Sequence, residues 1–547
     1  MALARLHIPF FGGEFPATPP RRLESHDATI AVNCLLDDGD LTSLNAPLET
    51  EEDHQIIIPF TDGTIYLYEH EHWFSWKNKD VDVVPSPILQ DDFKRIYFTG
   101  DGKPQVTTNE MAIGGHTMPD ASYDLGIPAP IKRPFVEITK VGEEDPEGID
   151  DDETRYYVYT YVSGTGEEGA QSPLSTKLVL PTPLEDEVTV TVTAPAINTF
   201  NITHINVYRS ATSAEDAVWL LVGQLPLHQT SFIDNKLDSE LGPLLETFDY
   251  IPPPETLRGL VGMDGGMLAG FTDSTLCVSE AFLPYAWPKR YQHKTKWPIV
   301  GIAAVAGGAV VCTKGEPYIF AGTSPDAMML ETTGAQQACI SKRSIVAMDG
   351  FVLYASPDGI VSVTGSGAEL ISDAVIKPKQ WRALKPESIH AYYHEGEYIA
   401  FYGGQGVSTR FDRGGFILNP KRKDIRFFNF YAGAAFKDIS SDKFYLMMPG
   451  HMSIWGEGEP LVATWRSKLF ETPIMSFSLC QVLAPDIEGI KVTILTDDNV
   501  LHSVTLSNEY KGIFWLPAGL YSRWQIEIET TKPIHSITLA NTHQELD

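Results

Sequence analysis

Acidic and imidazole side chains alternate at positions 69–72 as Glu69, His70, Glu71 and His72. If these residues lie on a β-strand, His70 and His72 point to one face and could share a metal ion. Four aromatic side chains flank the run: Tyr66, Tyr68, Trp73 and Trp76. The same pattern is typical of an ordinary solvated strand edge. Because two ligands do not make a site, we assign no metal-binding residue here.

Two acidic stretches could attract Ca²⁺: DDGD at 37–40, and a longer run at 143–153. Neither has the alternating carboxylates and distal glutamate of a calcium-binding loop. The pattern favours solvated loops, with cation binding as the alternative.

A Ser-Pro-Asp-Gly run at 356–359 resembles the Asp-box turn of sialidase propellers, and residues 61–64 are a looser version. Both lack the trailing Thr-Trp, and Asp-Gly alone predicts a hairpin turn. A glycosidase would also need two carboxylates about 5 to 10 Å apart. The run therefore leaves a glycosidase open as an alternative.

Motifs for nucleophilic, phosphate-binding and zinc-dependent catalysis are absent from the sequence: it has no G-x-S-x-G, no G-x-x-x-x-G-K-[ST] and no H-E-x-x-H. The five cysteines are odd in number and form no Cys-x-x-Cys pair, which predicts buried free thiols: Cys34, Cys277, Cys312, Cys339 and Cys480. We expect a non-enzymatic protein without a cofactor, and we assign no catalytic, cofactor-binding or metal-binding residue.

A pattern of two strands joined by a glycine turn repeats along the chain. Four runs, at 260–271, 302–311, 345–354 and 389–401, each combine a strand, a glycine turn and a strongly apolar strand. Their marker glycines, Gly265, Gly308, Gly350 and Gly396, are spaced by 43, 42 and 46 residues. This period is typical of β-propeller blades, and a large meandering sandwich is the alternative.

Two more copies of the repeat are predicted. Residues 55–68 read as a fifth copy, and 423–430 followed by 443–448 read as a degenerate sixth. The number of blades stays open, because no copy carries a Trp-Asp or kelch signature.

Proline-rich boundaries separate a different module from the repeats. Alternating strands at 156–162 and 188–192 predict a fibronectin- or immunoglobulin-like β-sandwich inserted into the propeller. The last 85 or so residues predict a further β domain, with a hairpin at 491–506. The sequence thus predicts an all-β chain with four parts: N-terminal strands and the first blade or blades (1–127), the sandwich (128–254), the remaining blades (255–460) and the C-terminal β domain (461–547).

Acidic residues dominate the charge, with 72 Asp and Glu against 41 Lys and Arg and a formal charge of −31. Such a surface does not bind nucleic acid by neutralising phosphates, but it could surround nucleic acid without holding it. Net charge for solubility is the alternative. No stretch approaches the roughly 20 apolar residues of a membrane span, so we expect a soluble protein made without a secretion signal and without membrane insertion.

An ordered series of segments resembles the tail nozzle (tail tubular protein B) group of virion proteins from short-tailed bacteriophages, over most of the chain. The segments that carry the resemblance are GGEFP (12–16), AVNCLLDDGDL (31–41), LGIPAP (125–130), 159–173, LRGLV (257–261) through VSEAFLPYAWP (278–288), QACISKRS (337–344) and YASPDGI (354–360). The series is more specific than any one segment.

This resemblance implies a structural virion protein, made in the host cytoplasm, with six copies in a ring below the tail adaptor and portal. Genomic DNA would pass through the lumen without tight binding, and loops would meet the adaptor, neighbouring subunits and possibly tail fibres. The family varies in its inserted domain and C-terminal tip, so fibre contacts do not carry over. A glycan- or receptor-binding virion propeller and a tail-associated glycosidase are the alternatives.

Overall fold

Short antiparallel strands make up most of the regular structure, as β-branched and aromatic runs between Gly and Asp turns predict. The computed structural model describes residues 5–36, 38–50, 62–114, 119–142, 153–181, 185–210, 218–403, 413–497 and 499–546. The two α-helices among them are short: α1 (Asn109–Ala112) and α2 (Pro378–Ala383). None is long and apolar enough to cross a membrane.

The first half of the chain contains these strands, in chain order: β1 (Leu6–Ile8), β2 (Ala28–Val32), β3 (Cys34–Leu35), β4 (Thr42–Ser43), β5 (Leu48–Glu49), β6 (Thr64–Tyr68), β7 (His72–Trp76), β8 (Asp82–Pro85), β9 (Ile96–Thr99), β10 (Gln105–Thr107), β11 (Tyr123–Asp124), β12 (Phe135–Lys140), β13 (Glu153–Arg155), β14 (Tyr157–Ser163), β15 (Leu178–Leu180), β16 (Glu187–Thr191), β17 (Ile202–Ser210), β18 (Trp219–Pro226), β19 (Ser231–Asp234), β20 (Arg258–Met263), β21 (Met267–Thr272) and β22 (Thr275–Val278).

The second half continues with these strands: β23 (Gln292–Lys294), β24 (Ile299–Val305), β25 (Gly308–Thr313), β26 (Tyr318–Ala321), β27 (Met329–Thr332), β28 (Val346–Ala347), β29 (Val352–Ala355), β30 (Ile360–Thr364), β31 (Gly367–Leu370), β32 (His390–His394), β33 (Glu397–Gly403), β34 (Arg413–Asn419), β35 (Asp424–Phe428), β36 (Ala434–Lys437), β37 (Phe444–Met448), β38 (His451–Ile454), β39 (Ala463–Ser467), β40 (Phe470–Met475), β41 (Leu479–Leu483), β42 (Lys491–Thr496), β43 (Asn499–Thr505), β44 (Ile513–Trp515), β45 (Tyr521–Thr530) and β46 (Ser536–Ala540).

The four predicted hairpins are confirmed, since in each a strand ends before the turn and the next begins after it. The turn glycines have positive φ, the conformation that favours glycine: 76° at Gly265, 88° at Gly350 and 80° at Gly396. In the second hairpin this residue is Gly307, at 78°, rather than the marker Gly308.

The chain divides into two compact units: Met1–Asp80 with Val310–Ile319 and Glu331–Asp547, and Val81–Ala309 with Phe320–Leu330. In the second unit, β8 to β11 and β20 to β23 each form a four-stranded meander. The two meanders share an apolar core that includes Tyr97, Leu268 and Trp287. Each is the sheet expected of a propeller blade.

The predicted sandwich also lies in the second unit. One sheet has the order β12-β16-β19 and the other β14-β17-β18, and β13 pairs with β15. A common core of alternating side chains from both sheets includes Val190, Tyr159 and Val207. The structure therefore confirms the fold class: an all-β, propeller-like body with an inserted sandwich and a C-terminal β domain. The sequence-based domain boundaries stay a prediction.

In the first unit, β28 to β31 form another four-stranded meander. Strands β32 to β35 form a further one, and β36, β37 and β38 are completed to four strands by β5 from the N-terminal segment. Hairpin β6–β7 packs on this last sheet. Residues 55–61 of the predicted fifth copy lie outside the described residues.

The prediction of a single degenerate sixth copy is wrong. Its first part is β35, which pairs with β34, whereas its second part is β37, which pairs with β36 and β38. The two apolar runs therefore belong to two different sheets. Both runs are buried apolar strands, so the sequence alone does not show that they belong to different sheets.

The C-terminal domain borrows strands from the N-terminus. Strand β1 pairs with β46, and β2 lies between β35 and β39 in a ten-stranded sheet that also includes β45, β42 and β43. The hairpin predicted at 491–506 is confirmed as β42–β43. All five cysteines are buried and free, as predicted.

A buried ion pair holds the sandwich together. Arg209 and Asp234 are fully buried and their Nη1 and Oδ2 atoms are 2.9 Å apart. Asp234 Oδ2 also accepts a hydrogen bond of 2.7 Å from the Tyr157 hydroxyl. These bonds join β14, β17 and β19, which come from both sheets of the sandwich.

Replacing Asp234 with Asn should destabilise the sandwich by about 3–5 kcal/mol, because it leaves the buried Arg209 guanidinium without its full countercharge. Urea unfolding, followed by limited proteolysis within 128–254, measures the effect. Lys140→Gln is the matched control, since it breaks the exposed Lys140–Glu187 pair and should cost less than about 1 kcal/mol. An equally small effect of Asp234→Asn would contradict the role given to the buried pair.

Candidate functional site

Residues 69–71 form the turn of hairpin β6–β7 and His72 is the first residue of β7, so the placement of His70 and His72 on one strand is wrong. Glu69 and His70 have positive φ, at 51° and 60°. His70 Nδ1 lies 3.1 Å from Asp438 Oδ1 and 3.0 Å from Ser440 Oγ. Within the part of the chain that the structure describes, no three His, Cys, Asp or Glu residues lie together in a way that could hold a metal ion.

The aromatic residues around this turn belong largely to the core. Tyr68, Trp73 and Trp76 are buried, and Tyr66 is partly so. The Trp73 ring contacts Tyr445 edge-on at 5.0 Å, and Tyr68 stacks on Phe74 at the same distance. Tyr68, Trp73 and Trp76 therefore do not form the exposed aromatic surface that the glycan-binding alternative would use. The alternation of side chains along β6 and β7 gave no sign that a second hairpin covers these aromatic residues.

Of the acidic stretches, 38–40 and Glu153 fall within the described residues. Asp40 Oδ2 pairs with His535 Nδ1 at 2.7 Å, and the carbonyl oxygen of Gly39 accepts a 2.8 Å hydrogen bond from the Phe11 amide. Asp40 thus fastens the N-terminal segment to the C-terminal domain. Asp37 and residues 143–152 lie outside the described residues, so their cation binding stays an untested alternative.

The Ser-Pro-Asp-Gly run forms the turn between β29 and β30. Ser356 Oγ accepts hydrogen bonds of 3.3 Å from the amides of Asp358 and Gly359, and Trp381 Nε1 donates to the Ser356 carbonyl at 2.8 Å. The run is the hairpin turn that Asp-Gly predicts, and Ser356 and Trp381 give it a structural role.

A cavity of about 620 Å³ lies within the first unit. It is lined by residues from several distant segments: Asp62, Lys79, Asp80, Ile340, Ser341, Lys342, Arg343, Glu387, Ser388, Ile389, His390, Gly403, Arg413 and Tyr431. Cations outnumber carboxylates in this lining, although the whole chain has the opposite balance. Sequence reasoning missed the cavity because no single segment contributes more than two of its cations.

Two of the cavity's cations hold Asp62. Its Oδ2 lies 3.0 Å from Lys79 Nζ, and its Oδ1 lies 3.9 Å from Arg413 Nη2. The Arg413 guanidinium lies over the Tyr431 ring, 3.9 Å from its centroid, in a cation–π contact. About half of each of these cationic side chains, 51% for Lys79 and 49% for Arg413, is exposed at the opening.

The other two cations are anchored by backbone oxygens. Lys342 Nζ donates to the Asp80 carbonyl at 2.7 Å, and Arg343 Nη2 donates to the Gly433 carbonyl at 3.0 Å. Both residues lie in the 3₁₀ turn Lys342–Ser344. The turn thereby presents two adjacent positive charges to the cavity.

His390, the first residue of β32, is 1% exposed. Its ring stacks on Phe401 at 5.2 Å, and its Nδ1 lies 3.2 Å from the Tyr392 hydroxyl. Its Nε2 has no hydrogen-bond partner among the described residues. Burial, followed by the positive charges of Arg343 and Lys79, holds the pKa of His390 well below its usual 6.5, so the ring is neutral at pH 7.

Comparison with known proteins does not identify a family. No family model and no curated protein sequence matches the chain. Solved structures with a similar arrangement include exo-β-1,3-galactanase from Phanerochaete chrysosporium (9% identity, covering 62% of this chain and 93% of that one, TM-score 0.23). Others are BamB from Moraxella catarrhalis (11%, 59% and 95%, 0.24) and PorZ from Porphyromonas gingivalis (10%, 90% and 77%, 0.25). At these TM-scores the likenesses carry no argument about ligand or activity.

Replacing Asp438, the partner of His70, with Asn should change how stability depends on pH. Burial raises the pKa of Asp438, but hydrogen bonds from Ser441 and Ser440 outweigh it and lower the pKa from 3.8 to about 2. Ionised Asp438 therefore stabilises the fold above about pH 4, and this contribution disappears as the pH falls from about 4 to about 2. Chemical denaturation at a series of pH values should show a smaller loss of stability over that interval in Asp438→Asn than in the wild type.

Asp358→Asn, which changes an exposed carboxylate in a hairpin turn, is the control and should follow the wild-type curve. The same pH dependence in Asp438→Asn and the wild type would contradict the role given to Asp438.

Proposed function

We propose that the chain is a non-enzymatic structural subunit of a short-tailed bacteriophage tail. In this role it is a nozzle subunit in a ring of about six around the DNA ejection channel, below the adaptor and portal. The subunit is made in the host cytoplasm and resides in the virion. Support comes first from the ordered sequence series, whose segments at 257–261, 337–344 and 354–360 fall on strands and turns of the propeller-like sheets.

The main support for the proposal is the distribution of charged side chains between the interior and the surface. Arginines that are nearly fully buried pair with carboxylates: Arg95 with Asp91 and Glu167, Arg155 with Glu153, Arg209 with Asp234, and Arg426 with Glu397. Buried carboxylates such as Asp234 and Glu167 are used in the same pairs. The formal charge of −31 is therefore carried mainly by the surface. An acidic wall repels a polyanion and lets it slide instead of holding it.

Exposed strands and apolar side chains support a role in an assembly. Strand β44 is the last strand of its sheet, and its Trp515 is 68% exposed. Strand β43 ends the ten-stranded sheet with Val500 62% exposed. Edges that have no paired strand in the described part of the chain, and that carry apolar side chains, favour contact with other chains. Neighbouring subunits, the adaptor or fibres would cover them.

A glycan-binding role would need aromatic side chains other than the buried Tyr68, Trp73 and Trp76. A glycosidase would need a carboxylate pair facing a cleft. The cavity lining includes the carboxylates of Asp62, Asp80 and Glu387, and of these Asp62 is engaged by Lys79 and Arg413. Both remain as outcomes that the following experiments can reveal.

Mixing the chain with its adaptor should give a ring of about six copies, because the subunit surface needs neighbours to cover its edges. Analytical ultracentrifugation of the chain alone and with the adaptor measures the mass. Immunolabelling of virions with an antibody to the chain should mark the tail. Persistent monomers in the presence of the adaptor, or an unlabelled tail, would sink the proposal.

The chain should not bind duplex DNA at physiological salt, since 72 Asp and Glu against 41 Lys and Arg make it strongly acidic, and binding by counterion release needs an excess of cations. Fluorescence anisotropy with a labelled duplex should show no saturable binding up to about 10 μM protein, the range in which ordinary basic proteins bind non-specifically. A sub-micromolar affinity that weakens with salt would contradict an acidic conduit.

A further inference from the structure

An apolar pocket of about 480 Å³ lies in the first unit, lined by the N-terminal segment, by α2 with the residue Ile376 before it, and by β35. Its wall is mainly apolar and includes Phe15, Pro16, Leu23, Ile376, Leu384 and Phe427. The volume is about three times that of an engineered cavity that holds a benzene ring, so this α2 pocket has room for more than one apolar side chain.

Polar side chains of the wall are already used within the fold. Gln380 Nε2 donates to the Pro16 carbonyl at 3.1 Å, which joins α2 to the N-terminal segment. Thr29 Oγ1 donates to a carbonyl of β39 at 3.0 Å, and Glu14 Oε2 accepts from the Ala31 amide at 3.0 Å. The α2 pocket therefore offers an occupant mainly apolar surface, which favours an apolar group.

Exposed cations lie beside the wall in the sequence. Five of them directly precede or follow a residue of the wall: Arg21, Arg22, Lys377, Lys379 and Arg382. Among the described residues, none of these five has an ion-pair partner. Their side chains are thus available to a partner outside the chain.

The balance of charge around the α2 pocket differs from that of the whole chain. The two stretches that form most of the wall, 14–29 and 373–387, contain the five exposed cations and three exposed carboxylates, Glu24, Asp373 and Glu387. Their other charged residues are the half-buried Lys385 and the buried Glu14 and Asp27. Because the whole chain has 41 Lys and Arg against 72 Asp and Glu, this region is positive relative to the rest.

We infer that the α2 pocket docks a second copy of this chain, which inserts an exposed apolar side chain while neighbouring carboxylates meet the five cations. Charge complementarity selects this occupant, because the formal charge of −31 makes another copy an acidic partner. The chain also offers exposed apolar side chains next to exposed glutamates. Met329 is 65% exposed and lies two residues before Glu331, and Phe248 is 64% exposed and lies two residues after Glu246.

Such a contact joins two different surfaces of the chain. Met329 and Phe248 belong to the second unit, whereas the α2 pocket belongs to the first. An interface between unlike surfaces repeats from copy to copy and closes into a ring when the rotation allows it. The inference rests on the proposed function in this respect, since it names the contact that would join neighbours in the ring.

Sedimentation velocity of the full chain at physiological salt tests the contact, because repulsion between the acidic copies is then screened beyond about 8 Å. We expect the wild type to self-associate as its concentration rises to about 100 μM. The double variant Arg21→Gln and Arg22→Gln should weaken self-association about tenfold or more, since it removes two charges beside the pocket. Ala383→Trp should also weaken it, because residue 383 lines the pocket and a larger side chain fills it.

The double variant Lys132→Gln and Arg133→Gln is the matched control. It removes two adjacent exposed cations from the inserted sandwich, next to the exposed Ile131, and makes the chain more acidic by the same amount. Its self-association should equal that of the wild type. Equal weakening in the control, a wild type that stays monomeric, or variants that associate like the wild type would each overturn the inference.

A carbodiimide, which joins a lysine amine to a carboxylate in contact with it, gives an independent measurement. In a mixture of ¹⁵N-labelled and unlabelled chains, mass spectrometry should find links between copies that start at Lys377 or Lys379. The double variant Lys377→Arg and Lys379→Arg keeps the charges and should lose these links while it still self-associates. Links between copies that start only at other lysines would contradict the docking site.

The outcomes separate this inference from the nozzle role. Self-association through the α2 pocket without ring formation in the presence of the adaptor would support the inference and contradict the nozzle role. Rings that form with the adaptor and are unaffected by Ala383→Trp would do the reverse. A monomeric wild type that binds dodecanoate saturably would assign the pocket to a small amphiphilic anion and overturn the inference.

Discussion

The N-terminal segment is the element on which the rest of the first unit depends, because its strands β1, β2 and β5 pair with strands from the last quarter of the chain. Thr29 Oγ1 donates to the carbonyl of Arg466, 437 residues away, and the carbonyl of Gly12 accepts from Trp465 Nε1. Strand β2 joins the sheet of β32 to β35 to the C-terminal domain, while β5 completes the sheet of β36 to β38. The entropy of closing such a loop grows only with the logarithm of its length, so the pairing costs stability little but makes folding slow.

Close packing explains why this segment has the sequence it has. A Cβ on Gly13 would lie 2.7 Å from Asp424 Oδ2, so the backbone can approach β35 only because residue 13 is glycine. Glu14 is buried and its carboxylate accepts a 3.0 Å hydrogen bond from the Ala31 amide. The Gly-Gly-Glu run at 12–14, which in the sequence is only part of a resemblance, is thus a backbone junction between sheets. Larger residues there would separate β2 from its neighbours.

The sequence predicted those elements of the fold that are formed by residues close to each other in the chain. Turns of the types Asp-Gly, Gly-Gly and Glu-Gly identified the four hairpins. Period-two alternation identified the sandwich and the hairpin at 491–506. Both signals depend on residues near each other in sequence. Pairings between distant segments left no such signal. The two halves of the supposed sixth copy belong to different sheets, and Trp73 is covered by Phe436 and Tyr445 from another hairpin. The cavity was missed for the same reason, since Lys79 and Arg343 meet only in three dimensions.

The cavity differs from the rest of the chain in its balance of charge, and it lies where the N-terminal part of the first unit packs against residues 340–431. Buried arginines pair with carboxylates, which leaves the surface acidic, whereas the described lining of the cavity has four cationic side chains and three carboxylates. Its lining joins residues 62–80 of the N-terminal part to 340–431, and these meet because β5 and hairpin β6–β7 pack on the sheet of β36 to β38. The cavity therefore forms only when the N-terminal strands have paired with the second half of the chain, so its formation and the closure of the fold depend on the same packing.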